Sequence, residues 1–180
     1  LAHFAGYHTV LPVLLGFQTH IIIAGSDACS FPTINYGSFR KPIMGSAMAF
    51  SLRRAVTVLP VHGSLEHFTN TYSDFGPSDQ GYHGFIRDLR TPSTPIPYGF
   101  DAAMWSPVRG SRLSDTLLCV AVGAALGNNV HFRKGVDLII DAARQRPLFR
   151  FTVVGLSEPA TYRDLPSNVK LLGAVDRPTL

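Results

Sequence analysis

Arg133-Lys134-Gly135 sets two fixed cations between an apolar run, residues 117–122, and a segment of helical period that begins at 134. Backbone N–H groups at a helix start, and the positive end of its dipole, attract anions, and a lysine adds a full charge. The chemistry that suits this arrangement is capture of a diphosphate by Lys134, with Arg133 as a second donor whose planar fork can bind phosphate bidentately. Gly135 permits close packing there. Asp27 follows a second apolar run, 20–24, and is the candidate catalytic group of the first half. It can accept a hydrogen bond from a ligand hydroxyl, or tie down its own loop as aspartates after strands do. His3 and His8 flank the first apolar run, where a lone histidine more often packs or faces solvent than binds a ligand. His62 and His67 lack metal-ligand spacing, and Cys29 and Cys119 fall in different halves, so neither a metal site nor a disulfide framework is expected. Cys119, inside a strand-like run, reads as a small packed hydrophobe.

The elements that must position these residues alternate. Buried strands are expected over 2–5, 20–24 and 55–59, and helices over 9–17 and 39–54; in the second helix Ile43, Ala47 and Phe50 recur on one face. A third helix is expected from Gly63-Ser64, with Ser64 as cap and Leu65, Phe68 and Tyr72 along one side. Residues 73–94, dense in Gly, Pro, Ser and Asp, read as loop, and 95–115 as an interdomain linker. Beyond it, strands are expected over 117–122, 149–154 and 169–172, with a helix over 134–146. That helix turns Val136, Ile139, Ile140 and Ala143 inward and Asp137, Asp141 and Arg144 outward. Strand, helix, strand order predicts parallel sheets, hence an α/β chain in two units, 1–94 and 116–180.

Composition narrows the class. With 46% hydrophobic and 16% charged residues the chain is globular. No apolar run approaches the ~18 residues of a membrane-spanning helix. A net charge of +4 spread over scattered pairs, without interleaved aromatics, does not predict nucleic-acid binding. A start at Leu1 and an end resembling the opening of a helix read as a piece of a longer chain. The lack of a disulfide pattern points to the cytoplasm.

Four motifs then come in order: Ile96-Pro97-Tyr98-Gly99-Phe100-Asp101 with Trp105 and Pro107; Arg133-Lys134-Gly135-Val136-Asp137; Phe151-Thr152-Val153-Val154-Gly155; and Val169-Lys170-Leu171-Leu172-Gly173-Ala174-Val175. Together they resemble the GT-B glycosyltransferases of family four. The resemblance implies two Rossmann-like halves, both incomplete here, the first binding an acceptor and the second a nucleoside-diphosphate sugar. It further implies transfer with retention, in polysaccharide or glycoconjugate synthesis, without a metal or prosthetic group. The acceptor would be a sugar, a lipid-linked sugar or a small molecule, and peripheral membrane association of the full-length protein is compatible. Lys134 and Arg133 would hold the donor diphosphate, and Gly155, Gly173, Ala174 and Val175 would meet the nucleotide. Ala124 departs from the pattern, standing where relatives carry an arginine. The paired glutamates of the family lie beyond Leu180, so the chain alone is expected to be inactive. A sugar-nucleotide epimerase of the same fold and a non-catalytic nucleotide-binding module are the rival readings.

Overall fold

The protein is described from a computed structural model covering residues 1–71, 74–103 and 113–176. It divides into two compact units, Leu1–Ser106 and Pro107–Leu180, the division falling inside 95–115.

The first unit is built on a parallel sheet of β1 (Ala2–His3), β2 (His20–Ile23) and β3 (Thr57–Pro60) in that order, with Ala2 opposite Ile21 and Ile21 opposite Val58. The crossovers are α1 (Tyr7–Leu14) and α2 (Pro42–Arg54). Alternation along β2 buries Ile21 and Ile23 completely, and Val58 of β3 joins them, as a sheet covered by helices requires. Segment 92–96 runs along the other edge of β3 and closes its hydrogen bonds: Val58 N–H donates to Pro92 O, Thr94 N–H to Val58 O and Ile96 N–H to Pro60 O.

Helix α2 buries a different face from the one its sequence suggests. Met44, Met48 and Leu52, each four residues apart, form the packed stripe, while Ile43 is 77% exposed. Both stripes have helical spacing; Met48 and Leu52 lie in one buried cluster with Ile21, Ile23 and Val58, and Met44 packs against it, flexible thioethers filling the irregular space a core leaves. The expected third helix is also corrected. Only Gly63–Leu65 makes a short 3-10 turn, capped by His62 rather than Ser64, since Ser64 N–H donates to His62 Nδ1 (3.2 Å). Phe68–Thr69 then extends as β4 and pairs antiparallel with β5 (Asp79–Gln80). Tyr72 lies outside the described residues. The loop read over 73–94 contains β5 and one helical turn, α3 (Tyr82–Phe85), whose Tyr82 is fully buried. Long-range bonds drive this: the Gln80 amide donates to Ser30 O (3.0 Å) and accepts from Ser30 N–H (2.9 Å), pinning β5 to a segment 50 residues away.

The second unit has a parallel sheet, β6 (Thr116–Val120), β7 (Arg150–Val154) and β8 (Val169–Leu171), in chain order. Two helices cross from β6 to β7: α4 (Asn129–Arg133) and α5 (Val136–Gln145). Val136, Ile140 and Ala143 of α5 are buried with Ala121, Val153 and Leu156, so its apolar face is the expected one. Asn168 fastens the end of this crossover, its amide donating to Ala143 O (3.1 Å), Arg146 O (3.0 Å) and Phe149 O (2.9 Å). Ala143 O and Arg146 O also accept from the Arg146 and Phe149 N–H groups, so the side chain adds a second donor to each of these two carbonyls at the turn after α5.

Candidate functional site

The cationic motif sits where the chain passes from α4 to α5. Asn128 starts α4 by accepting His131 N–H at its side-chain oxygen (2.8 Å), and its amide donates to Gly123 O (3.1 Å), tying the helix to the loop after β6. Arg133 is the last residue of α4 and Lys134 its C-cap, with Lys134 N–H donating to Val130 O. This corrects the expectation of one helix beginning at 134. Residues 129–133 already form a helical turn, and Gly135, with φ +65°, breaks it and caps α5. A left-handed backbone favours glycine, which accounts for the residue type. Both cations are exposed, and the Lys134 ammonium makes no hydrogen bond or ion pair among the described residues. They therefore neighbour two dipole ends at once, the negative end of α4 and the positive end of α5.

The junction lies beside the carboxyl end of β6. Cys119, the penultimate residue of that strand, has its Sγ 4.0 Å from Lys134 O. Burial raises the Cys119 thiol above its ordinary range, and the nearby Lys134 charge opposes that rise. At the same end of the sheet lie the glycine turns. Gly123 N–H donates to Gly155 O (2.9 Å), and Gly155 N–H donates to Gly173 O (2.9 Å), so the three strand ends are laced together. Gly155 has φ +87°, and a Cβ there would stand 3.0 Å from both N and Cα of Val122. Its first role is thus to let β7 approach the β6 loop. Gly173 would meet nothing closer than 3.7 Å, Ala174 is exposed, and Val175 is half-buried. Ala124 is wholly buried in the core, with its carbonyl accepting Ser157 N–H (2.9 Å). No cation could occupy that position without leaving the core.

Asp137, expected to point outward, is half-buried, and its Oδ1 is a buried atom without a hydrogen-bond partner. It lies near His131, which is 5% exposed and bonded through Nδ1 to Tyr162 Oη (2.8 Å). Burial pushes the His131 pKa down, with the Asp137 charge acting the other way. Sequence spacing did not single out this pair, since 31 residues separate His131 from Tyr162.

In the first unit Asp27 sits in a 3-10 turn just after β2 and is 1% exposed. Its Oδ1 accepts from Ala24 N–H (3.0 Å) and Gly25 N–H (2.9 Å), and its Oδ2 from Ala5 N–H (3.2 Å). Burial raises its pKa and these donors pull the other way. The carboxylate is committed to joining the loops after β1 and β2, which favours the loop-fastening role over contact with a ligand. His3 bonds Tyr98 Oη (3.1 Å) at the surface. Among the described residues no group of three or more His, Cys, Asp or Glu could hold a metal ion, and no helix is long and apolar enough to cross a membrane.

Fold and site define a mixed α/β protein of two units, each with a parallel sheet, the second carrying an exposed cation pair at the carboxyl end of its first strand. No protein-family model matches the chain, and no curated protein or solved structure matches it either.

Proposed function

We propose that the chain is part of a GT-B glycosyltransferase that moves a sugar from a nucleoside-diphosphate donor to an acceptor hydroxyl, with retention of configuration. The observation that carries this reading is the position of Lys134: exposed, next to the start of a ten-residue helix, and beside the carboxyl end of β6. Ligands of open parallel sheets bind at that end. Lys134 is the diphosphate ligand and Arg133 its second donor, while the Gly155 and Gly173-Ala174-Val175 turns border the nucleotide. As the glycosyl bond breaks, negative charge grows on the leaving diphosphate, and a fixed ammonium stabilises it more than it stabilises the ground state. Loss of one such preorganised donor costs ~2.7–4 kcal/mol in the transition state.

The reading is tested by amide chemical-shift mapping of the 180-residue chain during titration with uridine diphosphate. Shifts clustered at Arg133, Lys134, Gly155 and Gly173 support it. An unchanged spectrum, or shifts confined to the first unit, rejects it.

A further inference from the structure

The first unit holds a cavity that the cation pair does not explain. It measures about 310 Å³ and opens at the carboxyl ends of β2 and β3, between Gly25 after the one strand and Ser64 after the other. Its walls are Ala28, Phe31, Tyr36, Leu65 and Phe68, with Cys29 and Gln80 alongside; among the described residues none of its lining carries a charge. Phe31 and Tyr36 exchange backbone bonds (Phe31 N–H to Tyr36 O, 2.8 Å; Tyr36 N–H to Phe31 O, 3.0 Å), and their rings stand 6.4 Å apart at 20°. The wall is firm: a Cβ on Gly37 would fall 2.2 Å from Cys29 O, so these two segments touch backbone to backbone.

We infer that this cavity binds one uncharged aromatic ring bearing a hydroxyl. The volume is about twice the ~150 Å³ that holds a benzene ring in an engineered protein cavity, and it stands at the low end of the ~300–1,000 Å³ of ligand pockets. A single substituted ring fits; a sugar nucleotide does not. Aromatic and aliphatic walls supply burial for the ring, and the lack of charge would leave an anion desolvated without a partner. Ser64 supplies the polar contact. Its N–H donates to His62 Nδ1 (3.2 Å), and in the tautomer that leaves this nitrogen unprotonated the Ser64 hydroxyl, 2.8 Å from it, donates as well. A hydroxyl that donates to histidine keeps its lone pairs for a ligand O–H. The cavity itself is independent of the donor site; calling its ligand the acceptor of sugar transfer rests on the proposed function.

The test uses the chain carrying Cys119→Ser, which leaves Cys29 as its one thiol. Alkylation of Cys29 by iodoacetamide is timed with p-cresol, toluene or phenyl phosphate present. The inference predicts saturable protection by p-cresol, roughly fivefold weaker binding of toluene for want of one hydrogen bond, and no protection by phenyl phosphate. Ser64→Ala should remove the difference between p-cresol and toluene, and Leu65→Trp, at a half-buried wall, should remove protection while circular dichroism stays native. Protection by phenyl phosphate equal to that by p-cresol, no protection by p-cresol, or protection that survives Leu65→Trp overturns the inference. Uridine diphosphate binding separates the two proposals: cresol binding without it removes the transferase reading and leaves the pocket, and the converse removes only the pocket.

Discussion

Replacing Asp27 with alanine removes, in one step, the acceptor of three backbone N–H groups. Ala5 is 5% exposed, so its N–H is left dry, at ~1–3 kcal/mol for a buried unsatisfied donor. Ala24 and Gly25 are half-buried, and water recovers part of their loss, leaving about 1 kcal/mol each. Relief from holding a desolvated carboxylate, whose pKa burial raises, offsets part of this loss. The net destabilisation is therefore ~2–4 kcal/mol, a large share of the ~5–15 kcal/mol that holds a domain together. Urea unfolding followed by circular dichroism reads the loss, and amide hydrogen exchange locates it: Ala5, Ala24 and Gly25 should exchange faster while β6 to β8 are unchanged. Asp27→Asn should cost less, since its carbonyl can still serve Ala24 and Gly25 while its amide opposes the Ala5 N–H. The sign of the pH dependence follows from the raised pKa: Asp27's contribution is greatest below 3.8 and is lost as pH rises through the folded value, a dependence absent from Asp27→Asn. A loss under ~0.5 kcal/mol in Asp27→Ala, with exchange unaltered, would refute the loop-fastening account and return Asp27 to the candidate catalytic groups.

Gly155→Ala should lower stability by ~2–3 kcal/mol, combining left-handed backbone strain with the 3.0 Å approach to Val122; a thermal midpoint equal to wild type would contradict the strand-end packing described. Tyr82, fully buried and bonded to Ser93 Oγ (2.8 Å), has its pKa raised to about 12, chiefly by burial. Its stabilising contribution is complete below the ordinary value of 10.0 and fades as pH climbs through about 12, so alkaline unfolding should be shallower in Tyr82→Phe. Phenolate absorbance from Tyr82 at its ordinary pH would deny that burial. His131 has a lowered pKa from burial, so the second unit should lose stability as pH falls below 6.5, and His131→Gln should flatten that dependence in an acid titration followed by hydrogen exchange.

The parts of this molecule set by local periodicity were readable. Helix α5 shows its buried stripe in Val136, Ile140 and Ala143, and the strands of the second sheet are short segments rich in apolar and β-branched residues. The parts set by distant contacts were not. Helix α2 offered two stripes at helical spacing, and only the packing of the fold decides between Ile43 and Met48. The 63–69 segment lost its helix to a strand because Gln80, through Ser30, holds β5 where Phe68 can pair with it. The site was legible in residue type but not in setting. Arg133-Lys134-Gly135 was visible as a cation pair at a helix start, yet five residues are too few to show a period, so α4 and its capping Asn128 went unread; an asparagine before Val130 was the available signal. Asp27 was placed after a strand with the loop-tying role its local donors Ala24 and Gly25 serve, while the Ala5 donor, 22 residues away, could only come from the fold.

The role of Lys134 as the ligand of a nucleotide diphosphate is tested most directly by the binding constant of uridine diphosphate for the wild-type chain and for Lys134→Ala. Isothermal titration calorimetry at two ionic strengths should show saturable binding that weakens with salt. Lys134→Ala should weaken it about ten- to a hundredfold, the scale of ~1.5–3 kcal/mol for a charge-assisted contact. Equal affinity in the two proteins would contradict the central claim.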